Sequence, residues 1–359
     1  MCVRTMRTIE WDKLHRTVRL VDQRELPGRF AYVTCRNYSQ VIQAIQTMAI
    51  RGAPAIGIAA AFGLSLEAAA WKGQDLAVFR DHLVKVADEI QATRPTAVNM
   101  AWALGQLKGI IRQEQGSVDE LRQRIILRAD AMTEEDVAVN HRMAEFGASL
   151  IKDGDTIIHH CNTGSLAAVD WGTALGAIRL AHEQGKKVHV LVDETRPRLQ
   201  GSRLTAWELE QYGIPYDIIT DNAAGYFLSI HKAQKVMFGA DRVARNGDVA
   251  NKVGSYMLAL AAKDNGVPVY SVAPSSSIDL KIASGKQIPI EERDPQEVLG
   301  IEIDGKRASP RSATALNPAF DITPNRLLTA IVTEKGIVKP PFSTNLAATL
   351  KKPFKGVIP

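Results

Sequence analysis

Cysteine is scarce in this chain of 359 residues. Cys2, Cys35 and Cys161 form no C-x-x-C pair and no zinc-like cluster. An odd count without a framework excludes a disulfide-built scaffold and points to a reducing, cytoplasmic setting. Long apolar runs are missing too. No window approaches the roughly 20 apolar residues that a spanning helix needs, and the start, MCVRTMRTIEW, lacks the continuous apolar core of a signal peptide. The expectation is a soluble protein with no membrane partner. Charge is not concentrated either: 44 basic and 39 acidic residues leave a formal net charge of +5, with a pI near 9.0. No basic block stands out, so no nucleic-acid partner is expected, and an anionic small substrate suits the charge equally well. There is no internal repeat, and no low-complexity stretch before the polar, proline-containing terminus at 337–359.

What is present is a hydrophobic fraction of 45 %, ample for sizeable cores, in a chain long enough for two domains. Alternation at Met6 to Trp11 and Thr17 to Val21 predicts a small hairpin. Helical periodicity starts at Asn37, breaks at Arg51-Gly52-Ala53-Pro54 and resumes, rich in alanine, to Trp71. Further helical patterns cover 75–91, 98–109 and 116–149. The first 130 or so residues therefore read as a mostly helical domain, and the helix at 116–149 as a bridge to a second domain, 131–359. From Asp155 the rhythm is strand then helix: strands at 155–160, 187–192, 216–220, 235–239 and 268–273, helices at 165–184, 200–212, 222–232 and 252–265. That alternation predicts an α/β domain with a parallel sheet covered on both faces. No G-x-G-x-x-G follows its first strand, so a nucleotide cofactor has no support. A strand pair is expected near 288–304, and a loop with a last helix and turn over 317–336.

Two polar residues sit where apolar strands run out, and carboxyl ends of parallel strands are where ligands bind. Cys161 follows a β-branched run and precedes Asn162-Thr163-Gly164-Ser165 and a helical pattern from Leu166 to Glu183. An unpaired cysteine is commonly just a small buried hydrophobe. Beside a helix N-terminus, however, a thiol becomes acidic and can move a proton or act as a nucleophile. His159 and His160 lie just upstream on opposite strand faces, so at most one faces the site. Asp241, after Gly239-Ala240, is either a turn cap or, in an apolar pocket, a general acid with a raised pKa. Asp221 and Asn222 read as a helix N-cap with a supporting role. Arg51 and Arg94 lie in turns between helices. Loop arginines are usually solvated, yet each offers a fork to a phosphate. Asn251 and Lys252, read as a helix start, offer another anion contact. Gln200, in a polar fragment after a strand, can bind sugar hydroxyls. Together these describe a cleft for a small phosphorylated polyol, with no metal-ligand cluster and no cofactor.

RGAPAIG at 51–57, TRPTAVN at 93–99, CNTGSLA at 161–167, ETRPRLQGSRLTAWEL at 194–209, GADRVARNGDVANKVGSY at 239–256 and APSSSID at 273–279 resemble the methylthioribose-1-phosphate isomerases. The wider family also holds regulatory subunits of translation initiation factor 2B and ribose-1,5-bisphosphate isomerases, so fold alone does not fix function. The resemblance implies a homodimer whose helical N-terminal domain closes over a Rossmann-like C-terminal domain. It implies isomerisation of 5-methylthio-α-D-ribose 1-phosphate to 5-methylthio-D-ribulose 1-phosphate, a step of methionine salvage. Cys161 and Asp241 are then the catalytic pair, and Arg51, Gly52, Ala53, Arg94, Gln200, Asn251 and Lys252 substrate contacts. The alternatives are an isomerase of 5-deoxyribose 1-phosphate or ribose 1,5-bisphosphate, or a non-catalytic regulatory subunit.

Overall fold

In a computed structural model, which describes residues 6–353, an apolar helix without a polar face organises the first half of the chain. This helix, Ala53–Ala70, is buried over most of its length. By length and composition it is apolar enough to cross a bilayer, which narrows the expectation that no stretch approaches a span. Yet 72 % of its residues are buried inside the fold, as suits a core helix.

The first of two units runs to Arg142 and also takes in Thr163–Gly172. It begins with β1 (Ile9–Asp12), β2 (Thr17–Val21) and β3 (Tyr32–Cys35), an antiparallel sheet that adds one strand to the expected hairpin. Then follow α1 (Tyr38–Gln46), α2 (Ala53–Ala70), α3 (Leu76–Ala92), α4 (Val98–Gln113) and α5 (Val118–Ala148). The start of α3 is fixed by Asp75, whose carboxylate accepts the amides of Ala77 and Val78. α1, α3 and α4 pack against α2, burying Phe62, Phe79, Leu83 and Met100 in one core. α5 continues past Arg142, and its last turns belong to the second unit.

The second unit comprises Met143–Asn162 and the chain from Thr173. Its elements are β4 (Thr156–His159), α6 (Ala174–Glu183), β5 (His189–Asp193), α7 (Ala206–Tyr212), β6 (Tyr216–Ile219), α8 (Ala224–Ser229), β7 (Lys235–Phe238), β8 (Arg242–Ala244), β9 (Val249–Lys252), α9 (Ser255–Asp264) and β10 (Val269–Val272). They continue with β11 (Ile278–Asp279), α10 (Gln296–Leu299), β12 (Glu302–Ile303), β13 (Lys306–Arg307), β14 (Phe320–Thr323), β15 (Ala330–Thr333), β16 (Gly336–Val338) and α11 (Phe342–Leu350). The main sheet has the order β16-β15-β10-β7-β4-β5-β6. All its pairs are parallel except β15 with β16. Runs such as Val236-Met237-Phe238 are buried throughout, as strands covered on both faces must be. The expected α/β class, a Rossmann-like parallel sheet after a mostly helical region, is what the chain adopts. The chain builds from β4 through β5 to β6 on one side, then returns to lay β7 on β4's other flank. The strand order therefore reverses between β4 and β7.

Several expectations need correction. The helix expected over 165–184 is interrupted: a short 3-10 turn, Ser165–Ala167, precedes α6, and Trp171 and Gly172 between them take left-handed φ of 63° and 78°. The helix expected from 252 begins at Ser255, because β8 and β9 form a hairpin that places Asn251 and Lys252 on a strand. The strand pair expected near 288–304 is displaced: α10 occupies 296–299, and the pair that forms is the short β12–β13 over 302–307. Over 317–336 the chain makes β14 and β15 rather than a helix. The last helix, α11, lies within the segment read as a polar terminus, with Phe342 and Leu346 in the core.

Candidate active site

The geometry starts from strand register. His159 of β4 pairs with Met237 of β7, so Cys161 and Asp241 leave the carboxyl ends of adjacent parallel strands. This is the point where the strand order reverses, the place where open α/β sheets open a crevice for ligands.

Cys161 is held by its backbone. Its φ is 67°, a left-handed conformation that costs a non-glycine residue ~1–2 kcal/mol. The Cys161 amide donates to Thr195 Oγ1 at 2.9 Å, and its carbonyl accepts from Thr205 Oγ1 at 2.7 Å. Thr195 itself has a φ of 63°, an outlier for a β-branched residue. It is fixed by donating its hydroxyl to the Asp193 carbonyl and its amide to Asp221. The second Asp221 oxygen accepts the Arg196 amide, so Asp221 fastens the loop after β5, whereas a helix N-cap was expected. Asn162 turns its amide to Thr205 and to Glu208 at 2.8 Å, supporting the same turn. The expected helix N-terminus beside the thiol is absent, because only three residues of 3-10 turn follow. Hydroxyls and amides shape this corner. Thr195 and Thr205 were not singled out in the sequence, where their only signal was a polar run directly after a strand.

Gln200 sits within the segment 195–205 that carries both threonines. It is 7 % exposed, and its Oε1 has no hydrogen-bond partner among the described residues. A buried amide oxygen left unpaired is costly unless a ligand satisfies it. The segment lies close to the strand end: a Cβ on Gly201 would stand 1.7 Å from the Asp193 carbonyl oxygen.

Asp241 is fixed by the hairpin that follows it. Its amide donates to the Ala250 carbonyl at 2.9 Å, next to Asn251. Asn251 is buried and donates to Ser255 Oγ. Lys252 Nζ donates to the Ala319 carbonyl at 2.8 Å and lies over the Phe320 ring.

The remaining sequence candidates belong to the first unit. Gly52, with φ 97°, caps α2, and a Cβ there would meet Ala167 backbone atoms at 2.4 Å. The N-terminus of α2, with Arg51 and Ala53 beside it, therefore lies directly on the Ser165–Ala167 turn that continues from the CNTG segment. A Cβ on Gly57 would meet the Asn99 carbonyl at 3.0 Å, so the first turns of α2 and α4 touch. Arg94, just before α4, comes to the same end of the pair. Two adjacent helix N-termini flanked by arginines are suited to a phosphate. Asp136 of α5 accepts the Val169 amide at 2.8 Å, anchoring the returning segment. Burial pushes Asp136 up to about 7.

Neither histidine is placed as a free base. Burial pulls His159 down to about 3, leaving it neutral in the sheet. His160 Nδ1 lies 2.7 Å from Asp193 Oδ2 and Nε2 lies 3.0 Å from the Val253 carbonyl oxygen. His160, Asp193 and Asp221 bring potential metal-ligand atoms within 4.8 Å of one another. However, both His160 ring nitrogens already face oxygen atoms, Asp193 Oδ2 and the Val253 carbonyl, so no imidazole nitrogen is turned toward a metal. Burial also pushes the Cys35 thiol up to about 11, which leaves that cysteine inert.

Residues 49–340 match the Initiation factor 2 subunit family. Methylthioribose-1-phosphate isomerase 2 of Pseudothermotoga lettingae is 48 % identical over 344 residues, covering 95 % of this chain and 97 % of that protein. Methylthioribose-1-phosphate isomerase of Thermotoga maritima is 48 % identical over 345 residues, 96 % of this chain and 98 % of that one. The crystal structure of 5-methylthioribose 1-phosphate isomerase from Pyrococcus horikoshii OT3 is similar with a TM-score of 0.88 and 42 % identity, covering 98 % of this chain and 99 % of that one. A structure described as translation initiation factor eIF-2B, subunit delta, from A. fulgidus is similar with a TM-score of 0.85 and 39 % identity, covering 97 % and 100 %.

Proposed function

We infer that this chain, which belongs to the Initiation factor 2 subunit family and within it to the methylthioribose-1-phosphate isomerases, isomerises 5-methylthio-α-D-ribose 1-phosphate to 5-methylthio-D-ribulose 1-phosphate in methionine salvage. The observation that carries the reading is the placement of Cys161 and Asp241 on adjacent parallel strand ends at the point of strand-order reversal. By the motifs they stand in, Arg51, Arg94 and the backbone of Gly52 and Ala53 are assigned to the phosphate. Gln200, Asn251 and Lys252 contact the sugar.

Phosphate on the anomeric oxygen blocks the spontaneous ring opening that ordinary aldoses use. Asp241, as its acid form, donates a proton to the ring oxygen as the bond from that oxygen to C1 breaks. Hydrogen then moves from C2 to C1. In one route Cys161 removes the C2 proton to give an enol phosphate and returns a proton to C1, while the 2-hydroxyl proton leaves and the C2 ketone forms. In the other, hydride passes from C2 to C1 while Cys161 takes the 2-hydroxyl proton, and the C2 ketone forms. Exclusion of water around these groups strengthens each electrostatic contact. A pocket distinguishes one methylene-sized group by only ~1–3 kcal/mol, so 5-deoxyribose 1-phosphate is a second substrate to test. The same reading takes the enzyme to be a cytoplasmic homodimer acting without nucleic acid or membrane.

Incubation with 5-methylthioribose 1-phosphate, followed by phosphorus and proton NMR, tests the function. Ribose 1,5-bisphosphate and 5-deoxyribose 1-phosphate serve as rivals. A binding-only role is favoured by the name of the A. fulgidus relative, but it has no use for Cys161 and Asp241 together. No turnover of any of the three substrates would support it.

A further inference from the structure

We propose that His160 is a positioning residue of this site, clamping the end of β4 that carries Cys161 to the turn after β9, the strand on which Asp241 is anchored. The proposal rests on the isomerase reading for its kinetic consequence and on geometry for the clamp itself.

His160 is 1 % exposed and joins three elements. It precedes Cys161 at the end of β4. Its Nδ1 faces Asp193 Oδ2 at the end of β5 at 2.7 Å, and its Nε2 faces the Val253 carbonyl at 3.0 Å. A carbonyl oxygen only accepts, so Nε2 carries a proton, and the carboxylate at Nδ1 favours a second. Both contacts therefore suit an imidazolium. The ring also packs on Gly254, where φ is 105° and a Cβ would stand 2.8 Å from His160 Cε1. The Val253–Gly254 turn directly follows Asn251 and Lys252, and the Ala250 carbonyl of the same strand accepts the Asp241 amide. One side chain thus sets the spacing between the Cys161 corner and the Asp241 hairpin.

The charges around the ring agree with this role. The carboxylates facing it are Asp193 from β5, Asp221 from the turn before α8, and Asp321 of β14, which accepts the Gly254 and Tyr256 amides. His159, its neighbour on β4, stays neutral. Burial by itself pulls the His160 pKa down, but the Asp193 hydrogen bond and the charges of Asp193 and Asp221 bring it above its ordinary value. Without that cation, the carboxylates beside Cys161 would oppose a thiolate there.

The test compares wild type with His160→Gln and with Gly254→Ala, which leaves His160 and Asp193 in place but displaces the ring. Three readouts are taken: kcat and KM on 5-methylthioribose 1-phosphate, the rate of iodoacetamide labelling mapped to Cys161 by peptide mass spectrometry, and the imidazole nitrogen spectrum of wild type. A misplaced catalytic group costs on the order of 100-fold, so both variants should lose about that in kcat while KM changes no more than about threefold. Cys161 labelling should slow several-fold, and the wild-type spectrum should show both His160 ring nitrogens protonated at neutral pH. Variants that keep wild-type kcat and labelling would overturn the proposal, as would a singly protonated His160 in wild type. If wild type turned over no sugar phosphate, the isomerase reading would fall, while labelling and the spectrum would still decide the clamp.

Discussion

Met237 of β7 stands beside His159 of β4 in parallel register, and that pairing sets Asp241 and Cys161 on strands about 4.8 Å apart. Each is then held by a different device. Cys161 is gripped by two threonine hydroxyls on the segment after β5, and Asp241 by a backbone bond to the β9 hairpin. The strands supply the pairing, and the loops supply the aim.

Gly52→Ala should damage both stability and phosphate binding. Its φ of 97° and the 2.4 Å approach to the Ala167 backbone leave no room for a methyl group. Left-handed strain of ~1–2 kcal/mol adds to an overpacking cost of ~1–3 kcal/mol. Thermal unfolding should fall by several degrees, and KM for the sugar phosphate should rise more than kcat falls. An unchanged melting temperature with unchanged KM would show that the close approach carries no load.

Thr195→Val should lower kcat while Thr195→Ser retains most of it. Valine removes the acceptor of the Cys161 amide and the donor to the Asp193 carbonyl. A buried donor left unsatisfied costs ~1–3 kcal/mol. Serine keeps the hydroxyl and eases the left-handed backbone. Steady-state kinetics on the two variants separate the hydroxyl from the packing of the methyl group.

Asp136 should make the protein less stable as pH rises toward neutrality. Burial carries its pKa from 3.8 up to about 7 in the fold, against the pull of the Val169 amide and Asn140. Below the unfolded pKa both states are protonated and the contribution is complete. Between the two values the unfolded chain ionises while the folded one does not, so stability drains away at up to about 1.4 kcal/mol per pH unit. Asp136→Asn should therefore be the more stable protein at about pH 8, with the advantage gone near pH 4. Denaturant unfolding of both proteins across that range checks the sign, and parallel curves would contradict it.

The parallel sheet was legible because strands buried on both faces must be short runs of β-branched and large apolar residues, as at Val190-Leu191-Val192 and Val236-Met237-Phe238. Cys161 and Asp241 stood out for the same reason, as polar groups where such runs stop. The β8–β9 hairpin was missed although Asn246-Gly247, with Gly247 at φ 88°, is a strong two-residue turn signal between Val243 and Val249. Alanine-rich composition hid the break at Trp171-Gly172, since helical propensity does not reveal where a segment leaves one unit for another. The run Ala330-Ile331-Val332-Thr333 carried its strand propensity openly, and Phe342 with Leu346 carried helical spacing in a segment judged by its prolines. Thr195, Thr205 and the His160–Asp193 pair had no sequence signal of comparable strength. Their importance comes from neighbours 30 or more positions away.

The most direct measurement is NMR of purified protein with 5-methylthioribose 1-phosphate in heavy water, with Cys161→Ser and Asp241→Asn alongside. Wild type should form the ketose phosphate. Each variant should fall by about 100-fold or more, the usual weight of a proton-transfer group, while keeping the wild-type thermal unfolding. Deuterium at C1 of the product would select the enol route over the hydride shift. Turnover by wild type that survives both substitutions would contradict the assignment of Cys161 and Asp241, and no turnover by wild type would contradict the isomerase itself.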